Sequence, residues 1–562
     1  MSSEDLRIGV FICHCGSNIA GSVDVPQVVE SASKIPGVVH AERNLYTCSS
    51  EGIASIQEAI KEHRLNRVVV ASCTPRTHEP LFMKTCEEAG LNKYLFEMAN
   101  IREHCSWVHS HEPKRATEKA KEIVAMAVAK ARYLKPQTEA EIEIEPSSLV
   151  IGGGVAGMTA AVSLAQQGFE VHLVEREAEL GGMLTKLNKV FPGDRDAQEV
   201  LEEMKKTVAS IDRINVLTST TVKEVNGFIG NFDVRLLEDG GKERELKVGT
   251  IVAATGADYF EPVSMYGYGE HSNVITQLQL EAELRSGKLG TPHSVVMIQC
   301  VGAREAEGRT YCSRICCTEA LKNAMLVMER SPATEVYILY RDVQTYGEEY
   351  ENYQWMARGK GVRFVRYLQD RPPDVEFKPG GRASVKVYHA LLGEEIEVDA
   401  DLVVLSTPLI PAQGAKDLSQ ILKVPLDAHG FFLEAHVKLR PVDFATDGIY
   451  VCGTAHSPKD VAESVSQAYA AASRASIPMF KGKVKTPAIT AVVDQDLCVG
   501  CRLCEDLCMF GAHAFEDGKS RVIEALCKGC GVCAAACPQH AIAMKHFQDR
   551  QIMAQIEAAL AR

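Results

Sequence analysis

The sequence predicts a multidomain α/β protein with a nucleotide-binding core, a small α/β domain before it and a ferredoxin-like domain at the end. A length of 562 residues exceeds what one hydrophobic core holds, so several domains are expected. Apolar strand-like runs alternate with helix-like runs, first over 1–110 and again from Ser147, as in parallel sheets. Most of the 19 cysteines fall into three groups, which predicts local clusters of thiols.

Composition and charge narrow the class of protein. With 46% hydrophobic and 24% charged residues, the chain reads as globular rather than disordered. A formal net charge of −13 with no basic cluster argues against nucleic acid as a partner. No run approaches the roughly 18 apolar residues that would span a bilayer, and the start MSSEDLRIGVFIC is acidic where a signal peptide would be basic. We therefore expect a cytoplasmic protein whose cysteines bind metal rather than form disulfides.

The first domain, predicted over 1–110, has three apolar runs that each end in cysteine: IGVFICHC, VVHAERNLYTC and RVVVASC. Helix-like runs follow them, so parallel strands would bring their carboxyl ends to one edge. Four cysteines could meet there as an iron–sulfur site, namely Cys13, Cys15, Cys48 and Cys73. A reactive thiol at a helix N-terminus is the other interpretation, and Cys105 could replace one ligand. A charged amphipathic helix over 111–143 is expected to link to the next domain.

The segment SSLVIGGGVAGMTAAVSLAQQGFEVHLVERE predicts a dinucleotide-binding fold. It reads as a strand, a GxGxxG turn at Gly152, Gly154 and Gly157, a helix, and a second strand ending at Glu175. In such a fold the glycines allow a tight turn, close approach of the backbone to a pyrophosphate, and packing of helix against strand. The helix N-terminus would face the phosphates, and Glu175 is placed to take the ribose hydroxyls.

Two further features favour FAD over NAD. The residues after Glu175 are similar to the E-x7-GG segment of two-dinucleotide-domain flavoproteins of the thioredoxin-reductase type, with Gly181 and Gly182. The segments VGTIVAATGA and DGIYVCGTAHSPKDVAESVSQAYAAASRAS resemble two later FAD contacts of that superfamily, which here are Thr255, Gly256, Gly453 and Thr454. Thr454 stands where those proteins usually carry Asp. The FAD domain is expected over 144–290 and 400–484.

Between these two parts, over 291–399, the sequence predicts a second nucleotide-type module that has lost its nucleotide loop. After the strand SVVMI it continues QCVGAREAEGRTYCSRICC, without the glycines that a pyrophosphate requires. Four cysteines stand at the strand end and the start of the next helix, namely Cys300, Cys312, Cys316 and Cys317. We interpret them as iron–sulfur ligands; the alternative is that some are small buried apolar residues. The module has no CxxC pair for disulfide chemistry.

Residues 485–545 predict a ferredoxin domain with two 4Fe–4S clusters. CVGCRLCEDLC and CKGCGVCAAACP each have the spacing C-x2-C-x2-C-x3-C, in which the fourth cysteine serves the other cluster. One cluster would be held by Cys498, Cys501, Cys504 and Cys537, the other by Cys527, Cys530, Cys533 and Cys508. Met509 replaces the proline that usually follows the first motif. A zinc ribbon would use two CxxC pairs instead. The tail over 546–562 predicts an amphipathic helix that either docks a partner or closes the domain.

With all four parts in this order, nearly the whole chain resembles the A subunit of heterodisulfide reductase. The resemblance includes CHCG at 13–16, NLYTC at 44–48, SCTPR at 72–76, YCSRICC at 311–317 and YRD at 340–342. It implies the flavin-bearing, electron-bifurcating component of a hetero-oligomer that works with B-type and C-type subunits, a donor dehydrogenase or hydrogenase, and ferredoxin. It also implies that Lys322 lies close to the flavin ring, where a cation would stabilise an anionic reduced flavin; an ordinary helix-surface lysine is the alternative.

The chain departs from the methanogen members of that family, which carry an extra ferredoxin domain inside the flavin domain. Here no cysteine occurs between Gly182 and Cys300, so the chain resembles the shorter form of bacterial relatives. The main rival function is a non-bifurcating relay, similar to the flavin subunits of quinone-interacting oxidoreductase complexes. A structural subunit with clusters that transfer no electrons, and a self-contained NAD(P)H oxidoreductase, are the other classes. The missing second glycine motif argues against the latter.

Overall fold

The computed structural model describes residues 5–139, 141–486 and 488–561. The chain divides into two compact units, one of which is Ile142–Val484. The other joins the described residues that precede this segment with those that follow it. The first and last predicted domains therefore belong to one unit, and the flavin domain and its inserted module belong to the other.

The N-terminal domain is a four-stranded parallel sheet with helices around it. Its strands are β1 (Ile8–Cys13), β2 (Val38–Asn44), β3 (Arg67–Ser72) and β4 (Phe96–Asn100), in the order β2-β1-β3-β4. Its helices are α1 (Ser17–Ala20), α2 (Val25–Ser33), α3 (Ser50–Glu62), α4 (Pro75–Glu88) and α5 (Pro113–Ala131). Strands β1 and β3 are buried along their whole length, which explains their continuous apolar sequences. The parallel arrangement brings the carboxyl ends of these strands to the same edge.

Helix α5 belongs to this domain and does more than connect it to the next one. Its face with Ala116, Ala120, Val124 and Val128 is buried in the same hydrophobic core as β1 and β3. The connector that we predicted over 111–143 is therefore a helix whose apolar stripe covers the sheet. Most charged residues of the helix occupy the other face, as expected for an amphipathic helix, whereas Lys130 is buried and pairs with Glu97.

The flavin unit begins with a mixed set of strands and two helices. Its elements are β5 (Glu141–Glu143), β6 (Ser147–Ile151), α6 (Val155–Gln166), β7 (Glu170–Val174), β8 (Lys189–Val190), β9 (Arg195–Asp196), α7 (Ala197–Ala209), β10 (Ile214–Leu217), β11 (Thr220–Phe228), β12 (Asn231–Glu238), β13 (Glu243–Val248), β14 (Thr250–Ala253) and β15 (Ala257–Tyr259). Strands β11, β12 and β13 form a three-stranded antiparallel sheet. The cysteine-free span after Gly182 is therefore folded as part of this unit.

The inserted module contains a second parallel sheet and a three-stranded antiparallel sheet. Its elements are β16 (Val274–Thr276), α8 (Gln277–Ser286), β17 (Ser294–Ile298), α9 (Cys316–Arg330), β18 (Glu335–Tyr340), α10 (Glu348–Gly359), β19 (Arg363–Arg366), β20 (Asp374–Phe377), β21 (Ala383–His389), β22 (Glu394–Ala400) and β23 (Leu402–Leu405). The antiparallel sheet has the order β20-β21-β22. The parallel sheet has the order β16-β23-β17-β18-β19, so β16 and β23 extend the module beyond the predicted 291–399. The sequence alone could not assign these two short strands to the second sheet.

The chain then returns to the first sheet and completes it. The elements are β24 (Leu409–Pro411), α11 (Ala415–Leu422), β25 (Ile449–Val451), α12 (Val461–Lys481) and β26 (Lys483–Lys485). Strand β25 pairs with β14, giving the parallel order β10-β7-β6-β14-β25. Asp460 caps α12 and Glu463 completes a capping box, which fixes where this helix begins. The two parallel sheets confirm the predicted α/β class with two nucleotide-type modules.

The C-terminal segment has the short paired strands of a ferredoxin-like domain followed by a helix. Its elements are β27 (Ala491–Val493), α13 (Leu503–Asp506), β28 (His513–Glu516), β29 (Lys519–Val522), α14 (Val532–Ala536), β30 (Ile542–Met544) and α15 (Asp549–Leu560). Strand β27 pairs with β30, and β28 pairs with β29. Helix α15 packs on α5, and the amide of Gln551 donates to the carbonyl of Tyr133 at 2.9 Å. Within the described residues, no helix combines the length and apolar character needed to cross a bilayer.

Candidate flavin cavity and cysteine clusters

A cavity of about 590 Å³ lies in the flavin unit, between the glycine turn after β6 and helix α9 of the inserted module. This volume is within the range of small-molecule sites. Seven of the residues predicted to bind FAD line it: Gly152, Gly154, Glu175, Gly182, Thr255, Gly256 and Thr454. The hydroxyl of Thr255 is buried and has no partner within the described part of the chain. The cavity therefore offers an unsatisfied polar group together with the predicted nucleotide turn.

The remaining predicted glycines support the walls of this cavity. A Cβ atom at Gly157 would collide with the carbonyl group of Gly152, so only glycine lets α6 approach the turn. A Cβ at Gly453 would lie 2.7 Å from the Cβ of Ala156. Gly181 has a φ of 139° and packs against Thr185. These three glycines allow close packing behind the cavity wall, whereas a Cβ atom at Gly154 would meet only the Cα of Gly182, at 3.9 Å.

Glu175 lies at the end of β7 as predicted and is buried at the cavity wall. Its carboxylate accepts the backbone N–H of Gly153 at 2.6 Å and that of Glu177 at 2.9 Å. The side chain thus fixes the glycine turn relative to the next strand. Its role toward ribose hydroxyls stays a prediction.

Lys322 lies on α9 and is only 1% exposed, so the alternative of a helix-surface lysine is wrong. Its ammonium group forms an ion pair with the fully buried Glu281 of α8 and donates to the carbonyl of Lys189 at 2.7 Å. The side chain also lines the cavity. The structure thus places this lysine against the predicted flavin site and gives it a carboxylate partner.

Two buried cavity residues were not predicted from the sequence. Glu319 of α9 accepts a hydrogen bond from the hydroxyl of Tyr259 at 3.2 Å, and burial raises the pKa of its carboxyl group to about 8. Lys459 precedes α12, and burial lowers the pKa of its ammonium group to about 8. Lys459 lies in the segment DGIYVCGTAHSPKDVAESVSQAYAAASRAS, which resembles an FAD contact, and it stands directly before a predicted helix. Glu319 belongs to no motif that marks a nucleotide site.

The four cysteines of the inserted module lie together at the carboxyl end of β17 and the start of α9. Cys316 and Cys317 act on each other so that the pKa of Cys316 is raised and that of Cys317 is lowered, and Cys300 and Cys312 add to the rise at Cys316. Burial raises the pKa of the Cys300 thiol to about 11, while the guanidinium groups of Arg304 and Arg341 act against this rise. Thiolate ligands at this place would lie near two guanidinium groups, whose positive charge would offset the negative charge of an iron–sulfur cluster.

The four predicted N-terminal cysteines also come together. Cys13 ends β1 and accepts the N–H of Thr47 at 3.4 Å, and burial, together with the charges of Cys13 and Cys15, raises the pKa of both Cys48 and Cys73. Arg102 lies 3.6 Å from the sulfur of Cys15, on a π-helical turn, Arg102–Ser106. Such turns are frequent at functional sites. Cys105 is fully buried and its thiol donates to the carbonyl of Ala116 at 3.0 Å, so it is engaged elsewhere.

The ferredoxin cysteines form the two predicted groups. Cys498, Cys501, Cys504 and Cys537 line one small cavity. The pKa of Cys533 is raised by burial and by Cys527, Cys508 and Cys530, so the thiols of the second group are neighbours too. The sulfurs of Cys508 and Cys537 each accept the backbone N–H four residues further on, at 3.3 and 3.4 Å. This symmetry matches the duplicated motif, and such N–H contacts tune cluster potentials.

Among the described residues, no three His, Cys, Asp or Glu side chains are arranged to hold a single metal ion. A cubane cluster binds each thiolate at a different iron, which separates its ligands. The four-thiol groups therefore have the composition for 4Fe–4S clusters, and the cavity fits FAD by its size, its glycine turn and its unsatisfied hydroxyl.

Two family models match the chain. Residues 146–303 match the pyridine nucleotide-disulphide oxidoreductase model, and residues 521–543 match the 4Fe-4S binding domain model. The first implies FAD and the second implies 4Fe–4S clusters. The thioredoxin reductases of T. acidophilum and Lactococcus lactis are similar at 17% identity, with TM-scores of 0.42 and 0.43; the matches cover 59% and 60% of this chain and 98% and 100% of those.

Relatives match over nearly the full length. The A subunit of the H(2):CoB-CoM heterodisulfide,ferredoxin reductase of Methanothermobacter marburgensis is 42% identical, and the match covers 99% of this chain and 98% of that protein. The iron-sulfur A subunit of the CoB–CoM heterodisulfide reductase of Methanocaldococcus jannaschii is 39% identical with the same coverage. The first alignment spans 647 positions, more than the 562 residues here, as expected for a form without the inserted domain. The chain is therefore a member of the heterodisulfide reductase A-subunit family of oxidoreductases.

Proposed function

We propose that the chain is the FAD- and 4Fe–4S-containing electron-transfer subunit of a heterodisulfide-reductase-like complex, and that it divides electron pairs between two one-electron routes. The observation that supports this most directly is the dual use of helix α9. The helix begins with Cys316 and Cys317, and its next two turns place Glu319 and Lys322 in the wall of the flavin cavity. One rigid element would thus hold both a cluster and the flavin site.

The cofactors supply complementary electron chemistry. FAD exchanges two electrons, whereas each 4Fe–4S cluster exchanges one. In the proposed arrangement, Gly152, Gly154 and Glu175 hold the nucleotide part of FAD, and α9 covers the cavity from the other module. The module's thiols occupy the strand end where a nicotinamide nucleotide would otherwise bind, so electrons rather than a hydride leave by this side.

The cluster count in this proposal is four. Two clusters belong to the ferredoxin domain, one to the four cysteines of the inserted module and one to Cys13, Cys15, Cys48 and Cys73. We further propose B-type and C-type subunits, a donor dehydrogenase or hydrogenase, and ferredoxin as partners. The names of the relatives support this, because they denote one lettered component of a larger enzyme and include H(2), ferredoxin and the CoB–CoM heterodisulfide.

The first experiment counts iron, sulfide and flavin on the anaerobically purified chain and assigns the reduced clusters by EPR. About 16 iron atoms with one FAD are expected, because four cubane clusters contain four irons each. About 8 iron atoms with one FAD would confine the clusters to the ferredoxin domain and contradict the proposed second route.

Division of electron pairs is tested on the complex assembled with its partners. For each pair taken from the donor, one electron is expected in ferredoxin and one in the disulfide, so two pairs reduce one disulfide to two thiols and two ferredoxins by one electron each. Delivery of both electrons of each pair to a single acceptor would identify a plain relay instead.

A further inference from the structure

The flavin cavity is lined by two buried lysines, and their surroundings differ. Lys322 forms its ion pair with Glu281, so the charge of its ammonium group is already balanced by a buried carboxylate. Lys459 is 8% exposed, and its ammonium group donates to three neutral oxygens: the carbonyls of Gly453 and Ser457 and the hydroxyl of Ser457, at 2.9–3.1 Å. Among the ion pairs of the described residues, none includes Lys459. Its positive charge is therefore held in place but not neutralised.

The position of Lys459 directs this charge toward the cavity. It immediately precedes the N-cap Asp460 of α12, and the first-turn residues Val461 and Ser464 line the same cavity. The helix presents the positive end of its dipole at this point, which adds to the effect of the ammonium group. A buried cation at a cavity wall is costly unless an anion compensates it, and the cavity is where such an anion would bind.

The titratable groups around Lys459 do not remove the charge imbalance. Burial is the main cause that lowers its pKa to about 8, the charge of Arg314 acts in the same direction, and Glu463 and Glu434 oppose the shift only through longer-range attraction. Cys452 acts in the same direction as the two carboxylates. Glu463 is itself paired with Arg314, and Glu434 with His456. Glu463 is thus already engaged with another cation, and the carboxylate of Asp460, which also lines the cavity, accepts the hydroxyl of Tyr350 at 2.6 Å and the N–H of Glu463 at 2.8 Å.

Starting from the proposed function, we propose that Lys459 stabilises the reduced, anionic form of the bound flavin and so sets its midpoint potential. Two electrons and one proton convert the neutral oxidised flavin into a monoanion, so a nearby positive charge favours the reduced side. Because Lys322 is paired with Glu281, it adds little net positive charge next to the flavin. Lys459 is therefore the residue through which the fold adjusts how readily the flavin accepts an electron pair.

The test is a redox titration of the full, FAD-loaded chain with dithionite and reference dyes, following the flavin absorption band while EPR counts reduced clusters. In Lys459→Met we expect the flavin equilibrium to move at least tenfold toward the oxidised form, which is about 30 mV for a two-electron couple. Lys459→Arg should stay near wild type. Lys481→Met, an exposed lysine at the end of the same helix, serves as the matched control and should not shift.

An unchanged potential in Lys459→Met with full FAD content would overturn the inference. An equal shift in Lys459→Arg would also overturn it, because the effect would then come from packing and not from charge. If Lys459→Met does not hold FAD, Lys459→Gln is measured by the same criteria. A wild-type chain that binds no FAD would instead contradict the proposed function, so the two failures are distinguishable.

Discussion

At the scale of single residues, the ion pair between Lys322 and Glu281 is the most enclosed charge arrangement beside the cavity. Both side chains are buried, and Glu281 also accepts the backbone N–H of Asn188 at 2.8 Å. A buried pair of this kind gives little net stability, but the loss of one partner leaves an uncompensated charge. The pair therefore fixes the position of α9 against α8 and of Lys322 against the cavity.

We expect Glu281→Gln to lower the local stability of α8 and α9 by about 3–5 kcal/mol, because the Lys322 ammonium group loses its carboxylate. The double variant Glu281→Gln/Lys322→Met should lose less than the two single variants combined. Because a multidomain chain does not unfold in one step, the readout is amide hydrogen exchange in these two helices.

The control for this double-mutant cycle is another ion pair that includes a residue of α9. Glu329 pairs with Lys360, and both side chains are substantially exposed. Glu329→Gln should change the free energy of amide protection in α8 and α9 by no more than about 1 kcal/mol. Strict additivity in the Glu281 and Lys322 cycle would show that the two residues are not energetically coupled.

At the scale of elements, helices α5 and α15 pack against each other. Gln551 and Ala554 of α15 are buried, and the guanidinium group of Arg550 lies 4.3 Å from the ring centre of Tyr133. The sequence left open whether the tail helix docks a partner or closes the domain. The structure shows it packed on α5, with Ile552, Met553 and Ile556 on its exposed side.

We expect Gln551→Ala to weaken this packing by about 1–3 kcal/mol, because the partly buried carbonyl group of Tyr133 loses its donor. The measurement is hydrogen exchange across α5, whose amides should exchange faster in the variant. Ile552→Ala, an exposed neighbour on the same helix, is the control and should stay within about 0.5 kcal/mol of wild type. Equal effects of the two substitutions would mean that the buried hydrogen bond does not secure the helix.

At the scale of the whole molecule, the four groups of cysteines lie in three separate folded regions. Each group brings thiols from a strand end or a tight loop to one place, and the cysteines outside these groups have other surroundings. Cys105 donates to a carbonyl group, and burial raises the pKa of the Cys86 and Cys452 thiols to about 12. Thiols of that kind are inert packing groups.

The difference between the grouped cysteines and the isolated ones predicts which substitutions lower the iron content. Cys73→Ser and Cys316→Ser should each lower the iron content by about four atoms, because each removes one ligand of a different cubane cluster. Cys105→Ser, also buried in the N-terminal domain, should leave iron unchanged. The readout is iron and FAD per chain after anaerobic purification. Unchanged iron in Cys73→Ser would refute an N-terminal cluster, and iron loss in Cys105→Ser would make Cys105 a ligand.

Features that depend on local spacing could be predicted from the amino-acid sequence. The GxGxxG turn with Glu175, the two ferredoxin motifs and the four cysteines after β17 are each contained in short segments or follow a strand directly. Residues that are a few positions apart in the chain stay close together in space, independently of how the rest of the chain folds. The two-module α/β class was predictable for the same reason, since strand and helix periodicity is local.

The charge balance of the cavity and the boundaries of the modules became visible only in the folded chain. Glu281 lies 41 residues before Lys322, and no spacing rule connects them. The same is true of Lys459, whose lack of a carboxylate partner depends on which distant side chains pack beside it. Strands β16 and β23 join the second sheet through pairing between residues about 130 positions apart. Burial and pairing at this range depend on the whole packed core, and for that reason the sequence could not reveal them.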